Sequence, residues 1–175
     1  MQLENNFLES VISRFESYKT MGDKTLAQLS EEECFYRQSA AVNSVAIIIR
    51  HMHGNMLSRW TNFLMEDGEK SWRNRDTEFA DFRCTKKELV AMWDEGWNCL
   101  LDTLKNLHSE DLGKEITIRT EPLKVYDAIL RQLMHYSYHV GQIVLLGKIL
   151  KDASWQSLSI PVGKSNEFNT QMGMK

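Results

Sequence analysis

A pair of histidines near the end of the chain has the spacing of two ligands to one metal ion. His135 and His139 lie four residues apart in the segment HYSYH, so on a helix both imidazoles would leave from one face. Two neutral imidazoles at this spacing can reach one ion at roughly 2.0–2.1 Å if it is zinc. Gln132 and Gln142 flank the pair and could orient ligands or bound water. Two ordinary surface histidines have the same spacing, and the metalloprotease sequence HExxH is absent because Tyr136 follows His135.

A third ligand would have to come from another helix, where His51 and His53 are the candidates. They lie two positions apart, roughly 200° around a helix axis, so only one of them can point inward. His53 shares its face with apolar residues such as Met56, which mildly favours it. His51 shares its face with polar residues that include Asn55 and Arg59, and a bundle that builds a site in its core needs such a polar stripe. The same stripe would also suit a solvent-facing surface, so spacing alone leaves the choice open.

Four segments with helical periodicity would position these histidines. The first carries an apolar stripe from Leu3 to Tyr18 and is expected to end near Met21-Gly22-Asp23, where a glycine can terminate a helix. The other three are expected at about 43–64, 86–107 and 125–151. Proline occurs only at positions 122 and 161, outside all four segments. The pattern predicts an all-α protein, a four-helix bundle with a long crossover connection between its second and third helices.

The segments between these helices contain several local signals. Ser30 and Glu33, and again Thr85 and Glu88, have the spacing of a capping box at the start of a helix. A charged stretch of about twenty residues precedes the second of these boxes, and a connection of that length is often functional. Residues 114–124 alternate in polarity and predict a small hairpin. We expect one domain over residues 1–175, with 152–175 forming an irregular tail packed on the bundle.

The overall composition argues against several functional classes. The chain has 175 residues and a formal net charge of −3, which disfavours a general affinity for nucleic acid. No apolar run is long enough to span a bilayer, and the first residues lack the pattern of a secretory signal. Cys34, Cys84 and Cys99 are an odd, widely spaced set, so they predict neither a disulfide framework nor a zinc knuckle. We expect a cytoplasmic protein that binds neither nucleic acid nor membrane.

Several stretches of the sequence resemble a known family. NSVAIIIRHMHGN is similar to the second helix of the DinB-like (YfiT-like) metal-dependent proteins, and HYSYHVGQIVLLGK is similar to their last core helix. GNMLSRW, DGEKSWRNRDTEF and SIPVGKSNEFN resemble one bacterial subfamily of unknown function within it. The resemblance covers nearly the whole chain. It implies a four-helix bundle that forms homodimers, with a metal site made by His51, His135 and His139.

The resemblance also implies a range of activities. Some relatives are transferases or isomerases that use low-molecular-weight thiols, and three imidazoles leave coordination positions open for water or substrate. We therefore expect a metal-dependent enzyme, either a thiol transferase or a hydrolase, that acts on a small molecule. The alternative is a bundle that binds a metal or a small molecule without turnover. Zinc or nickel is the expected ion, with iron or manganese as alternatives, and Asn55, Arg59 and Gln142 are the expected positions for binding further groups.

Overall fold

Helices account for most of the computed structural model, which describes residues 2–174 of the chain. Two short 3-10 helices, Ser109–Asp111 and Asp152–Ser154, accompany the regular elements. Those elements, in chain order, are α1 (Gln2–Gln28), α2 (Glu31–Phe35), α3 (Val45–Trp60), α4 (Arg75–Glu78), α5 (Lys86–Lys105), β1 (Glu115–Ile118), β2 (Glu121–Lys124), α6 (Val125–Lys151) and α7 (Ser165–Gln171). The predicted mainly helical character is therefore confirmed. None of the described helices combines the length and apolarity that crossing a membrane requires.

Short-range hydrogen bonds fix where several helices begin. Ser44 caps α3, because its side-chain oxygen accepts the backbone N–H of Ile47 at 3.2 Å. Both predicted capping boxes are present, at Ser30 before α2 and at Thr85 before α5. Each cap satisfies backbone N–H groups that have no partner inside the helix. These starts could be predicted because the donors and acceptors lie within four residues of one another.

The first helix is longer than predicted. It does not end near Met21-Gly22-Asp23 but continues to Gln28. Gly22 is buried beside the indole ring of Trp93 on α5, and a Cβ atom at this position would overlap the ring. The glycine therefore allows two helices to approach closely rather than terminating one of them.

The helices α3 and α5 run side by side in the same direction. The backbone of His53 lies beside Gly96, and about two turns further along both helices Thr103 Oγ1 donates to the carbonyl oxygen of Trp60 at 3.1 Å. Since both contacts advance together along the two helices, the pair is parallel. The segment that joins them, residues 61–85, therefore returns along the length of α3, and we refer to it as the return link.

One aromatic residue from each long helix contributes to the centre of the core. The ring of Phe15 on α1 lies 6.4 Å from that of Trp60 on α3 and 6.4 Å from that of Trp97 on α5, centroid to centroid. It lies 6.1 Å from the ring of Tyr136 on α6. All four side chains are buried, so this cluster fixes the four long helices relative to one another.

Polar contacts hold the return link against its neighbours. Arg50 of α3 donates from Nε to the carbonyl oxygen of Glu78 at 2.9 Å. At the other end of the link, the carboxylate of Asp67 accepts the backbone N–H groups of Arg119 at 2.9 Å and Thr120 at 2.8 Å. These two residues form the turn of the predicted hairpin, which is present with Glu115 opposite Lys124. The link is thus tied to α3 and to the hairpin.

The tail begins against the long helices and continues along the surface. The ring of Trp155 lies against Gly147 of α6, and the side chain of Gln28 exchanges hydrogen bonds with the backbone of Gln156 at 3.2 and 2.8 Å. From Ile160 to Met174 nearly every residue is exposed, including those of α7. The tail therefore has a docked first part and a solvated second part that contains a short helix.

Candidate metal centre

Three histidine side chains converge between α3 and α6. His51 comes from α3, and His135 and His139 come from successive turns of α6. The Nε2 atoms of His51 and His135 lie 3.4 Å apart, and those of His139 and His135 lie 3.1 Å apart. One ligand nitrogen from each ring lies within 4.8 Å of the other two. Tetrahedral zinc with bonds of about 2.0–2.1 Å would place its ligands roughly 3.4 Å apart, so the three rings could hold one ion.

Hydrogen bonds to the opposite ring nitrogens determine which nitrogens carry a lone pair. His51 Nδ1 donates to Oε2 of Glu78 at 2.8 Å, and His139 Nδ1 donates to Oε1 of Gln142 at 2.9 Å. Carboxylate and amide oxygens are acceptors, so both Nδ1 atoms carry the proton and both Nε2 atoms present a lone pair. The lone pairs of His51 and His139 both point toward Nε2 of His135, an arrangement that suits a bound cation. Glu78 and Gln142, behind the two rings, hold the imidazoles in this orientation. The chemistry of this donor set therefore fits a divalent metal ion.

His53 takes no part in the cluster. Its Nε2 atom lies 2.8 Å from Oε2 of Glu95 on α5, on the side of α3 away from His51. Both α5 and α6 pack against α3, so α3 is buried on two sides. The apolar periodicity that favoured His53 marks the contact with α5, whereas the polar stripe that contains His51 faces α6.

Glu78 was not identified from the sequence as a residue of the site. It is delivered by α4, a single turn within the return link that Asn74 caps by accepting the N–H of Thr77 at 3.3 Å. Arg73 holds the same carboxylate, with Nε 2.7 Å from Oε1 and Nη2 3.0 Å from Oε2. Burial raises the pKa of Glu78, but hydrogen bonds from His51 and Arg73 outweigh it and leave the pKa below its ordinary value. The asparagine cap inside a charged loop is the one local signal that could have indicated this residue.

Burial keeps two of the imidazoles neutral. Desolvation lowers the pKa of His135 to about 3, and the neighbouring His139 and His51 lower it in the same direction. Desolvation likewise lowers the pKa of His139 to about 4, although its hydrogen bond with Gln142 acts in the opposite direction. A neutral imidazole is the form that binds a metal.

These two pKa values predict that the metal-free protein loses stability in mild acid. In the unfolded chain both histidines take up protons near pH 6.5, whereas in the folded chain they do so only near pH 4 and below. Their contribution to stability is therefore complete above about pH 6.5, falls progressively below it, and is fully lost once the pH has passed through their folded pKa values. We expect the free energy of unfolding to fall by about 3 kcal/mol between about pH 7 and pH 5. Urea denaturation in the presence of a chelator would measure the free energy of unfolding at each pH. A free energy that does not change over this range would contradict the prediction.

The variant in which both histidines are replaced by glutamine is the matched control for this experiment. Glutamine retains hydrogen-bonding capacity without titrating. The double variant of His135 and His139 should show a much smaller change between the same two pH values.

Gly54 leaves the space in which Glu78 sits. A Cβ atom at this position would overlap Oε1 of Glu78, so Gly54→Ala should displace the carboxylate from His51. Loss of such a supporting contact typically weakens metal affinity about 10–100-fold, which competition with a chromogenic chelator would measure for zinc. Gly141→Ala on α6 is the control, because an added methyl group there meets no atom within 4 Å. Equal zinc affinities for the two variants would show that Glu78 does not support the ligand.

Two further positions expected to bind a ligand are already engaged within the protein. Asn55 is buried, and its Oδ1 atom accepts the hydroxyl of Tyr136 at 2.9 Å. Arg59 donates from Nη2 to Glu69 at 2.9 Å and from Nη1 to the carbonyl oxygen of Gly68. Both line the cavity described next, but the guanidinium of Arg59 forms an internal ion pair. Gln142, the third expected position, lies behind a histidine and orients it.

A cavity of about 470 Å³ lies directly beside the histidines. His51 and His135 form part of its wall, and Gln132, Met134 and Tyr138 of α6 continue it. This volume falls in the range of small-molecule sites. A small molecule in the cavity would therefore reach the candidate metal ligands.

The three cysteines do not form a second chemical centre. All three are free thiols. Burial raises the pKa of Cys34 to about 11, and burial is also the largest cause that raises the pKa values of Cys84 and Cys99. Since the thiolate is the reactive form, none of them has the properties of a nucleophile at neutral pH.

Comparison with known proteins gives a family but no activity. None of the curated proteins matches the chain. Residues 2–164, which include the three clustered histidines, match a family described as "Protein of unknown function (DUF1572)". Because the match covers most of the sequence, the chain belongs to the DUF1572 family.

Proposed function

We propose that this protein is a divalent-metal-dependent enzyme that acts on a small molecule. The observation that carries the proposal is the convergence of three histidine nitrogens within 4.8 Å at the wall of a cavity of about 470 Å³. Catalytic zinc sites typically have three protein ligands and keep a further position open, whereas structural sites are closed by four. The ligands would be His51, His135 and His139.

The residues around the three histidines would bind and orient the ion. Glu78 and Gln142 hold the rings of His51 and His139 with the lone pair of Nε2 directed inward. Arg73 keeps Glu78 in place through two hydrogen bonds. A divalent ion, when bound, would supply Lewis-acid chemistry that lowers the pKa of a water or thiol. Transfer to or from a low-molecular-weight thiol and hydrolysis are the two reaction classes that this chemistry supports.

The open cavity favours an enzyme over a protein that only stores a metal. A storage site gains nothing from access for a larger molecule, whereas a catalytic site requires it. The polar lining of the cavity, which includes Asn55 and Gln132, also supports binding of a substrate rather than exclusion of solvent.

The arrangement of the long helices supports the DinB-like bundle as part of this proposal. The helices α3 and α5 are parallel, and α6 packs against both α1 and α3. The return link between α3 and α5 corresponds to the expected long crossover. The three histidines lie on the second and the last of the long helices. An experimental structure of the metal-loaded protein would test the bundle and the ligand set together.

Metal analysis followed by activity measurement tests the proposal. Protein purified without a histidine tag should contain close to one zinc, nickel, iron or manganese ion per chain, or should take one up after chelation. A panel of thiol-transfer and hydrolysis reactions should then show turnover that a chelator abolishes and the ion restores. A chain that binds none of these ions would refute the proposal, and an ion bound without turnover in either class would favour the non-catalytic alternative.

A further inference from the structure

The cavity beside the histidines has a strongly cationic wall. Among the described residues, no aspartate or glutamate lines it, whereas five arginines do. These are Arg59, Arg73, Arg75, Arg119 and Arg131.

Two carboxylates behind the wall balance only part of this charge. Glu69 lies 2.9 Å from Nη2 of Arg59, 3.0 Å from Nε of Arg119 and 3.6 Å from Nη1 of Arg73. Glu78 is the second partner of Arg73. Five arginines therefore line the cavity and only two carboxylates pair with them, which leaves an excess of three positive charges.

The unbalanced charge lies at the exposed side of the cavity. The guanidinium of Arg75 lies 5.0 Å from the centroid of the Phe79 ring. Neither Arg75 nor Arg131 forms an ion pair with any residue that the structure describes, including Asp127 one turn before Arg131. Both side chains are available to an anion that enters from solvent.

Two buried polar atoms in the same wall have no hydrogen-bond partner. One is Nη1 of Arg73, whose side chain is 2% exposed and which lies 3.6 Å from Glu69, outside hydrogen-bonding distance. The other is Oε1 of Gln132, a residue that is 4% exposed. A buried donor and a buried acceptor without partners are unfavourable, so a bound molecule that accepts from the first and donates to the second would stabilise both.

We propose that the substrate of this site is a small oxyanion, a carboxylate or phosphate compound that also carries an N–H or O–H donor. The anionic group binds the guanidinium groups of Arg131 and Arg73, and the donor binds Gln132. Arg131 lies one helical turn before His135 on α6, so the Cβ atoms of the two residues lie roughly 5–6 Å apart. Because both residues line the same cavity, an anionic group held by Arg131 leaves the remainder of the molecule near the histidines, where it reacts. This inference rests on the proposed function for the reaction, but the anion site itself requires no metal.

Binding of simple probes to metal-free and zinc-loaded protein tests the inference. The probes are N-acetylglycine, which combines a carboxylate with an amide N–H, inorganic phosphate, and the uncharged N-acetylglycinamide as a matched control. We expect one saturable site per chain for at least one anion in calorimetry of the metal-free protein. The amide should bind at least about tenfold more weakly, the effect typical of losing a charge-assisted hydrogen bond. The tighter of the two anions identifies the substrate as a carboxylate or a phosphate compound.

Arginine variants assign the site. Arg131→Gln should weaken binding of the anion by about tenfold or more, and adding Arg75→Gln should weaken it further. Arg14→Gln removes an exposed arginine of α1 outside the cavity and should leave binding unchanged. Circular dichroism establishes that each variant is folded.

Several outcomes would overturn the inference. These are the absence of saturable binding by both anions, equal binding of N-acetylglycine and its amide, and unchanged binding in Arg131→Gln. Binding that occurs only in the zinc-loaded protein would also overturn it, because the anion would then be a metal ligand, and the proposed function would stand. Anion binding by a chain that takes up none of the tested metal ions would support the anion site and refute the metal-dependent function.

Discussion

Replacing His51 with alanine should abolish stoichiometric zinc binding, whereas replacing His53, two residues further along the same helix, should leave it nearly intact. His51 directs Nε2 toward His135, while His53 pairs with Glu95 on the other side of α3. Removing one of three protein ligands should lower the affinity by more than about 100-fold, beyond the effect of losing a supporting contact. Equilibrium dialysis followed by metal analysis would measure the stoichiometry of each variant.

The helices should remain folded in both variants, because the apolar core does not depend on the ion. His139→Ala should behave like His51→Ala, since both remove an oriented ligand. Loss of zinc in His53→Ala together with its retention in His51→Ala would show that the wrong histidine has been assigned to the site. Circular dichroism separates loss of the ligand from loss of the fold.

Replacing Gly22 with alanine should destabilise the protein by about 2 kcal/mol, the typical cost of adding a methyl group to a well-packed contact. The added Cβ would overlap the ring of Trp93, which is 2% exposed and donates from Nε1 to Asp23 at 2.7 Å. The ring also stacks edge-on against Trp97 at 5.3 Å between centroids, so it has little room to move. Thermal or urea denaturation of the metal-free protein would measure the change.

The matched control is the same substitution at an open helical position. Gly141→Ala on α6 meets no atom within 4 Å, and alanine is the better helix former by about 1 kcal/mol. This variant should therefore be slightly more stable than the original protein. If Gly22→Ala were also stabilising, the substitution would act only by reducing backbone flexibility. The close contact between Gly22 and the ring of Trp93 would then not limit the size of the residue at this position.

Features that depend on neighbouring residues could be predicted from the sequence. The bounds of α6 and the hairpin follow from periodicity. The caps at Ser30 and Thr85 follow from hydrogen bonds within a few residues. The pairing of His135 with His139 on one face has the same local origin. The end of α1 was predicted wrongly because Gly22 serves a contact with Trp93, which is 71 positions away and invisible in a local pattern.

The completed site could not be predicted from local patterns because its parts come from distant segments. Periodicity along α3 could not separate His51 from His53, since each faces a different neighbouring helix. Glu78 and Arg73 lie in a charged loop whose position is set by contacts with Arg50 and the hairpin. The five arginines of the cavity are likewise drawn from α3, the return link, the hairpin turn and α6. The resemblance to known proteins indicated the ligands, but the contacts that orient and surround them required the structure.

The parallel direction of α3 and α5 has a consequence for the rates of folding and unfolding. Because the two helices are parallel, the return link that joins them is long. His51 is separated in sequence from Glu78 by 27 positions and from His135 by 84. Contacts between such distant positions close large loops and tend to form late, after the local helices. An ion bound to the completed cluster would then stabilise the native state more than the transition state, slowing unfolding while leaving the folding rate almost unchanged. Metal loading would lengthen the lifetime of the native chain against proteolysis and irreversible inactivation.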